Sequence, residues 1–306
     1  MEWEDDCCSD QFRYDVHLTP PTDTDYWRYH SEAFSQNGER IWGRSNASQQ
    51  QANSYIGFFL IDDNQELTNG RKIAQHFSSY GIFQPNTMTL RGTIPDPNQT
   101  TPIGLNGGRL AEAIKALIHE EDGELYFGSL YMDDILDMID WASDISVDAP
   151  KKSNINANIP TTRQIIEFTD RYMKENSRFT GYDASEGALY VLFMLALAMH
   201  PQGPSIFAVD SFDHALNPRL AKKMIQVFCE QIIQNNKHVF LTTHNPLVLD
   251  GLDLTNDDIR LFAVDRDDDG HAQINRILVS QELINEGQSL SRLWINGRLG
   301  GVPTLL

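Results

Sequence analysis

A chain of 306 residues has room for about one to three folding units. Its 41% hydrophobic share is that of a chain with a real core, which excludes disorder over most of the length. Forty-three Asp and Glu against 24 Lys and Arg leave a formal charge of −19, which argues against broad non-specific binding of phosphate backbones by this chain alone; net charge leaves room for a small basic groove, and nucleic acid is expected only indirectly.

Cys7 and Cys8 are adjacent and Cys229 is isolated; without metal spacing, these suggest a reducing compartment. The start, Met1 to Asp10, has neither a basic nor an apolar export region. The longest apolar run, Ala188 to Met199, has 12 residues, whereas spanning a bilayer takes about 20. A soluble, cytoplasmic protein with no membrane partner is expected.

The first 110 residues read as β-rich. Strands are expected at Asp15 to Leu18, at Gly38 to Trp42 and over Tyr55 to Ile61, the last ended by Asp62-Asp63-Asn64. Ser45 to Asn53, rich in Ser, Gln and Asn, reads as a loop. Leu110 to His119 and Met132 to Trp141 show helical spacing, and Asp148 to Pro160 reads as a linker. Beyond about Thr161 the pattern becomes α/β. Helices are expected over Arg163 to Glu175, from Ser185 to His200, and from Pro218 to about Asn235. Buried strands are expected at Ser205 to Asp210 and His238 to Thr242, and a short helix opens at Asn245-Pro246. Ile259 to Val264 and Ala272 to Val279 flank Asp267-Asp268-Asp269-Gly270, which is hairpin chemistry. The expected fold is α/β, a mostly parallel sheet with flanking helices, plus a β-rich N-terminal part and a helical insert. The parts divide as 1–110, 111–178 and 179–306.

In parallel sheets ligands sit at the carboxyl ends of the strands, and both Asp210 and His244 fall there. Ser185-Glu186-Gly187 opens a helix whose free N–H groups and positive dipole end suit a phosphate. Asp210, ending an apolar strand, suits Mg²⁺, which needs few carboxylates.

At these residues the chain resembles the ABC-type ATPases of the SMC-like and RecF-like branch, common in bacterial defence and repair. Asp183 to Ala188 looks like the signature motif of that family, Ser205 to Asp210 like its Walker B strand, and Leu241 to Pro246 like its switch-histidine loop. Ser211 to Pro218 resembles the segment carrying the D-loop, here His214, Ala215, Leu216 and Asn217, and Leu293 to Pro303 is similar to the tail of defence ATPases of this type. The resemblance implies ATP and Mg²⁺ as cofactors. Ser185, Glu186 and Gly187 would belong to the nucleotide-contacting signature, Asp210 would hold the metal, and His244 would touch the γ-phosphate. It also implies head-to-head assembly with a P-loop-bearing subunit or second copy, and coupling to a nuclease or other effector.

Two departures stand beside the matches. No G-x-x-x-x-G-K-[ST] occurs, and neither Gly70-Arg71-Lys72-Ile73 nor Gly104 to Gly108 supplies one, so the phosphate-holding loop is expected from a missing amino-terminal segment or a split partner. Ser211 stands where the family has a glutamate, and a serine hydroxyl is too weak a base to replace it. Asp213 is the nearest substitute, though it also reads as a turn aspartate. The alternative function is an inactive pseudo-ATPase serving as an interaction scaffold. The edges left by missing strands predict poor solubility of the lone chain.

Overall fold

The computed structural model describes residues 2–4, 11–21, 27–45, 79–98, 100, 102–150, 164–173, 177–278 and 289–301. The chain forms two compact units, Met1–Ser78 and Ser79–Leu306.

In the first unit, β1 (Glu2–Glu4), β2 (Gln11–Thr19), β3 (Arg28–Gln36) and β4 (Glu39–Ser45) form an antiparallel sheet in chain order. β2 includes the strand expected at Asp15 to Leu18, and β4 includes all of that expected at Gly38 to Trp42 except Gly38, which lies in the turn. Asn37 and Gly38 both have positive φ (51° and 82°), the geometry of the tight turn that matches strand twist. Buried Phe12 and Phe34 stack across β2 and β3. The buried Glu32 carboxylate is matched by Arg44 at 2.8 Å and by the Tyr14 hydroxyl at 2.7 Å, as a buried charge requires. The strand expected over Tyr55 to Ile61, the loop at 46–53 and the linker at 151–160 lie outside the described residues.

The second unit is built around the apolar run of the sequence. Ser185 caps it, its Oγ accepting the Ala188 N–H at 3.2 Å, and residues Ala188 to Met199 are all buried. A helix apolar on every side belongs in the middle of a core. Among the described residues no helix is long and apolar enough to cross a membrane. Against this helix packs a three-stranded parallel sheet with β12 (Ile206–Val209) at its centre, flanked by β13 (His238–Leu241) and β5 (Ile82–Phe83).

The parallel sheet is confined to those three strands. The other described strands pair antiparallel, so the fold is mixed α/β with several small sheets. The stretch 111–178, expected as a helical insert, is only partly helical. A short α1 (Thr87–Leu90) comes first, then α2 (Leu110–Leu117), the β6 (Ile118–Glu121), β7 (Glu124–Phe127) and β8 (Leu130–Tyr131) meander, and α3 (Met132–Met138). β9 (Ala142–Asp148), β10 (Ile165–Asp170) and β11 (Arg178–Thr180) follow as an antiparallel sheet. The helix expected over Arg163 to Glu175 is therefore corrected to β10. Apolar residues at 165, 166, 168, 172 and 173 fit a helical stripe, but β-branched Ile165, Ile166 and Thr169 favour the strand that pairing with β9 provides. Burial of Ile166, Glu167 and Phe168 together hides the two-residue alternation.

The central helix is α4 (Glu186–Met199), followed by α5 (Pro218–Gln234), whose Asn217 cap and Pro218 start match expectation. α6 (Pro246–Leu249), the β14 (Leu261–Arg266) and β15 (Ala272–Ile277) hairpin, and α7 (Leu290–Ile295) complete the described chain.

Candidate nucleotide site at the strand ends

The parallel register sets Phe83, Val209 and Leu241 level with one another. Gln84, Asp210 and Thr242 therefore emerge together at the carboxyl end of the sheet. The ladder runs one step further, with the Asp210 N–H donating to Phe83 O at 3.1 Å and the Thr242 N–H to Val209 O at 3.2 Å.

Two consecutive threonines organise the side chains above this edge. Thr242 Oγ1 donates to Asp210 Oδ1 at 2.6 Å and accepts the Ser211 N–H at 2.8 Å. Thr243 Oγ1 donates to Asp213 Oδ1 at 2.6 Å and accepts the Asn245 N–H at 3.0 Å. Each hydroxyl accepts a backbone N–H and gives its own proton to a carboxylate, which when ionised can only accept. Asp210 Oδ2 has only a long 3.5 Å contact from Gln84 Nε2. That oxygen is placed to take a cation.

Ser211 adopts φ +59°, a left-handed conformation that few side chains favour. Its N–H goes to Thr242, and its carbonyl accepts both the His214 N–H at 3.0 Å and the Tyr190 hydroxyl at 2.9 Å. Burial, followed by the charges of Asp213, Asp210 and Glu186, pushes the Tyr190 phenol well above its ordinary pKa. The phenol thus stays protonated and keeps donating.

The start of α4 meets the same loop. A Cβ on Gly187 would lie 3.1 Å from Ala215 O, so glycine permits the close approach. Glu186 accepts a hydrogen bond from Thr87 Oγ1, and Arg91 Nη2 donates to Ala184 O at 3.0 Å. Ser185 and Glu186 thus commit their side chains to the helix cap and to Thr87, leaving backbone N–H groups for any ligand. Of the D-loop segment, His214 and Asn217 are exposed, Ala215 is half-buried and Leu216 is buried. His244 is exposed on the turn between Thr243 and Asn245.

The structure therefore joins Asp210, Asp213 and the His244 loop through one hydrogen-bonded set, and brings Gly187 against Ala215. Gln84, Thr87, Tyr190, Thr242 and Thr243 are additions to the residues read from sequence. The threonines lie inside the recognised 241–246 string, and Tyr190 lies inside a run that reads simply as core. Gln84 follows a two-residue strand too short to register as one.

Among the described residues no group of three or more His, Cys, Asp or Glu is arranged to hold a metal. A single half-buried carboxylate with one oxygen free of short hydrogen bonds does fit Mg²⁺, which keeps much of its water shell and shares phosphate oxygens. None of the groups bonded to Asp210 or Asp213 is basic, so the edge by itself disfavours a bare triphosphate.

Residues 106–250 match the family described as "AAA domain, putative AbiEii toxin, Type IV TA system". That match supports a nucleotide-binding, AAA-type ATPase domain over those residues. The matched segment contains Ser185, Gly187, Asp210, Asp213 and His244. No curated protein matches the chain. Among solved structures, one from work on ATP-driven dimerization and DNA-stimulated activation of SMC ATPases is 13% identical, with a TM-score of 0.35 over 58% of this chain and 90% of that one. An Smc head domain with a coiled coil and joint derived from Pyrococcus yayanosii is 10% identical, with a TM-score of 0.35 over 60% of this chain and 29% of that one. An Smc head bound to the C-winged helix domain of ScpA is 9% identical, with a TM-score of 0.44 over 90% of this chain and 76% of that one. At such TM-scores the likeness decides nothing.

Proposed function

We propose that this chain provides one part of a composite ATP site, completed by a P-loop-bearing partner in a head-to-head assembly, and that closure of the site is relayed to an effector in defence or repair. The observation that carries this reading is the pair Thr242 and Thr243, which follow β13 and fix Asp210 and Asp213, both of which follow the neighbouring parallel strand β12. Asp210 would hold Mg²⁺, which when bound neutralises phosphate charge. Thr242 keeps the carboxylate oriented. Asp213, held by Thr243, is the acid we assign to ordering the attacking water, and His244 would donate to the γ-phosphate. The N–H groups of Ser185 to Gly187 would face the phosphates of a nucleotide gripped by the partner.

Two features support the need for a partner. Among the described residues no basic group hydrogen-bonds either aspartate, which fits charge for the phosphates being supplied from elsewhere. The sheet face carrying Ile82, Ala208 and Phe240 is also open, with Ile82 58% and Phe240 66% exposed. It leads directly to Gln84, Asp210 and Thr242, two residues further along each strand.

Calorimetric titration with Mg-ATP tests the proposal. Very weak binding by the lone chain, rescued by a P-loop partner, is expected. Asp210→Ala and His244→Ala should abolish ATPase activity of the completed assembly, and unchanged rates would refute the assignment. A second reading, nucleotide binding without hydrolysis by an interaction scaffold, is favoured by Ser211 alone. Single-turnover measurements on the assembly separate the two.

A further inference from the structure

Charge is distributed unevenly in the second unit. Residues 116–150 contain ten Asp and Glu and no Lys or Arg. Within this stretch Asp122 and Gly123, with φ of +53° and +82°, close β6 and β7 into a tight hairpin. The register pairs His119 with Tyr126 and Tyr126 with Tyr131, making an aromatic row across three strands. His119 and Tyr126 stack at 5.5 Å and 17°, and the Tyr126 and Tyr131 rings lie 4.8 Å apart. The alternate residues Ile118, Phe127 and Leu130 turn toward the core, so the row faces outward, with Tyr131 52% exposed.

Two positions along the same face, Glu121 and Glu124 are direct cross-strand partners. Like charges set opposite each other destabilise a sheet. The hydrogen bond with Tyr131 first, then desolvation, then the charges of Tyr131 and the two glutamates, push the Tyr126 hydroxyl up to about 12. The phenol stays neutral, and the face stays electron-rich.

We propose that this face docks an arginine-rich segment of a partner polypeptide. Ring faces attract cations, and a guanidinium adds flat stacking and a two-pronged fit to carboxylates that an ammonium lacks. Glu121 and Glu124 on this face, with Asp122 in the turn between them, supply the complementary charge. The proposal is independent of the nucleotide site, since it uses none of those residues.

Fluorescence anisotropy of labelled nona-arginine and nona-lysine peptides on the full chain tests it, in about 0.15 M salt, where screening sets in at about 8 Å. The overall charge of −19 attracts any polycation, so the decisive readout is discrimination. Nona-arginine should bind roughly three- to tenfold tighter than nona-lysine, the worth of one or two exposed cation–π contacts. Tyr131→Ala, which changes no charge, should erase that preference and weaken nona-lysine much less than nona-arginine. The pair Glu121→Gln and Glu124→Gln should weaken nona-arginine more than Asp257→Asn with Asp258→Asn does. Equal binding of the two peptides, a preference that survives Tyr131→Ala, or equal effects of the two double variants would overturn the proposal.

Discussion

Asp96 lies in the loop ahead of α2 and is 3% exposed. Its Oδ1 accepts the Asn98 N–H at 2.9 Å, and its Oδ2 accepts those of Asn106 at 3.0 Å and Gly108 at 3.2 Å. The loop in turn holds the end of β5: the Gln84 N–H donates to Leu105 O at 3.1 Å and the Asn86 N–H to Asn106 O at 3.2 Å. One buried carboxylate therefore supports the segment that presents Gln84 to Asp210. Asp96→Asn keeps the shape and removes the charge. If the amide oxygen takes the two N–H groups at Oδ2, its NH₂ points at the Asn98 donor. Hydrogen bonds to a charged group contribute about 1.5–3 kcal/mol and neutral ones about 0.5–1.5. Two bonds weakened by about 1 kcal/mol each, plus about 1–3 for the donor left facing a donor, give a loss of about 3–5 kcal/mol.

At about 2–4 °C per kcal/mol, the unfolding transition of the second unit should fall by roughly 6–20 °C in circular dichroism melts, with exposed Asp257→Asn as the control. Gly108→Ala should also destabilise, because its Cβ would lie 2.3 Å from Asp96 Cβ. An Asp96→Asn melt within about 2 °C of the control would show that the carboxylate does not hold the loop, and the supporting chain to Gln84 would fail with it.

Three further outcomes are expected. Tyr190→Phe removes the donor to Ser211 O while the His214 N–H remains, so urea unfolding should show a loss of about 1 kcal/mol; no change would mean the phenol does not hold the turn. Thr242→Val keeps the side-chain shape on an exposed position and should cost under about 1 kcal/mol of stability, yet lower Mg-nucleotide affinity of the completed assembly about tenfold or more, with Thr242→Ser restoring it. Wild-type affinity in the valine variant would refute the orienting role. Lys237, which donates to Leu197 O and His200 O at the end of α4, is pushed down by burial from 10.5 to about 8. Between those values the unfolded chain holds more protons, so stability should rise with pH from about 8 toward 10.5 and stay flat below. Lys237→Met should remove that rise, and a difference profile with no slope would contradict the burial effect.

The strands and helices that carry the candidate site were legible because each is a short apolar run bounded by strong local signals. Ser185, Asn217-Pro218 and Asn245-Pro246 mark helix starts, and Asp210 and Thr242 mark strand ends. What stayed hidden depended on partners distant in sequence. β10 is a strand because β9 pairs with it, and its two-sided burial erases the alternation a reader looks for. β5 has only two residues and owes its place to Val209 and Ala208, 126 positions away, so Gln84 carried no mark of function. Asp122-Gly123 was a readable hairpin signal, overshadowed by the helical spacing that continues to His119.

Ser211 is the position where sequence pattern and geometry meet most directly. Asp210 and Asp213 are three residues apart, while the hydroxyls that bind them belong to adjacent residues on the next strand. An extended chain would carry Asp213 roughly 10 Å beyond Asp210, out of reach of Thr243. The left-handed turn at Ser211 folds the chain back, and the Ser211 carbonyl, bound by Tyr190 and His214, keeps it there. The turn at Ser211 is thus what brings Asp213 within reach of Thr243, which is why Asp213 is the group we assign to the water.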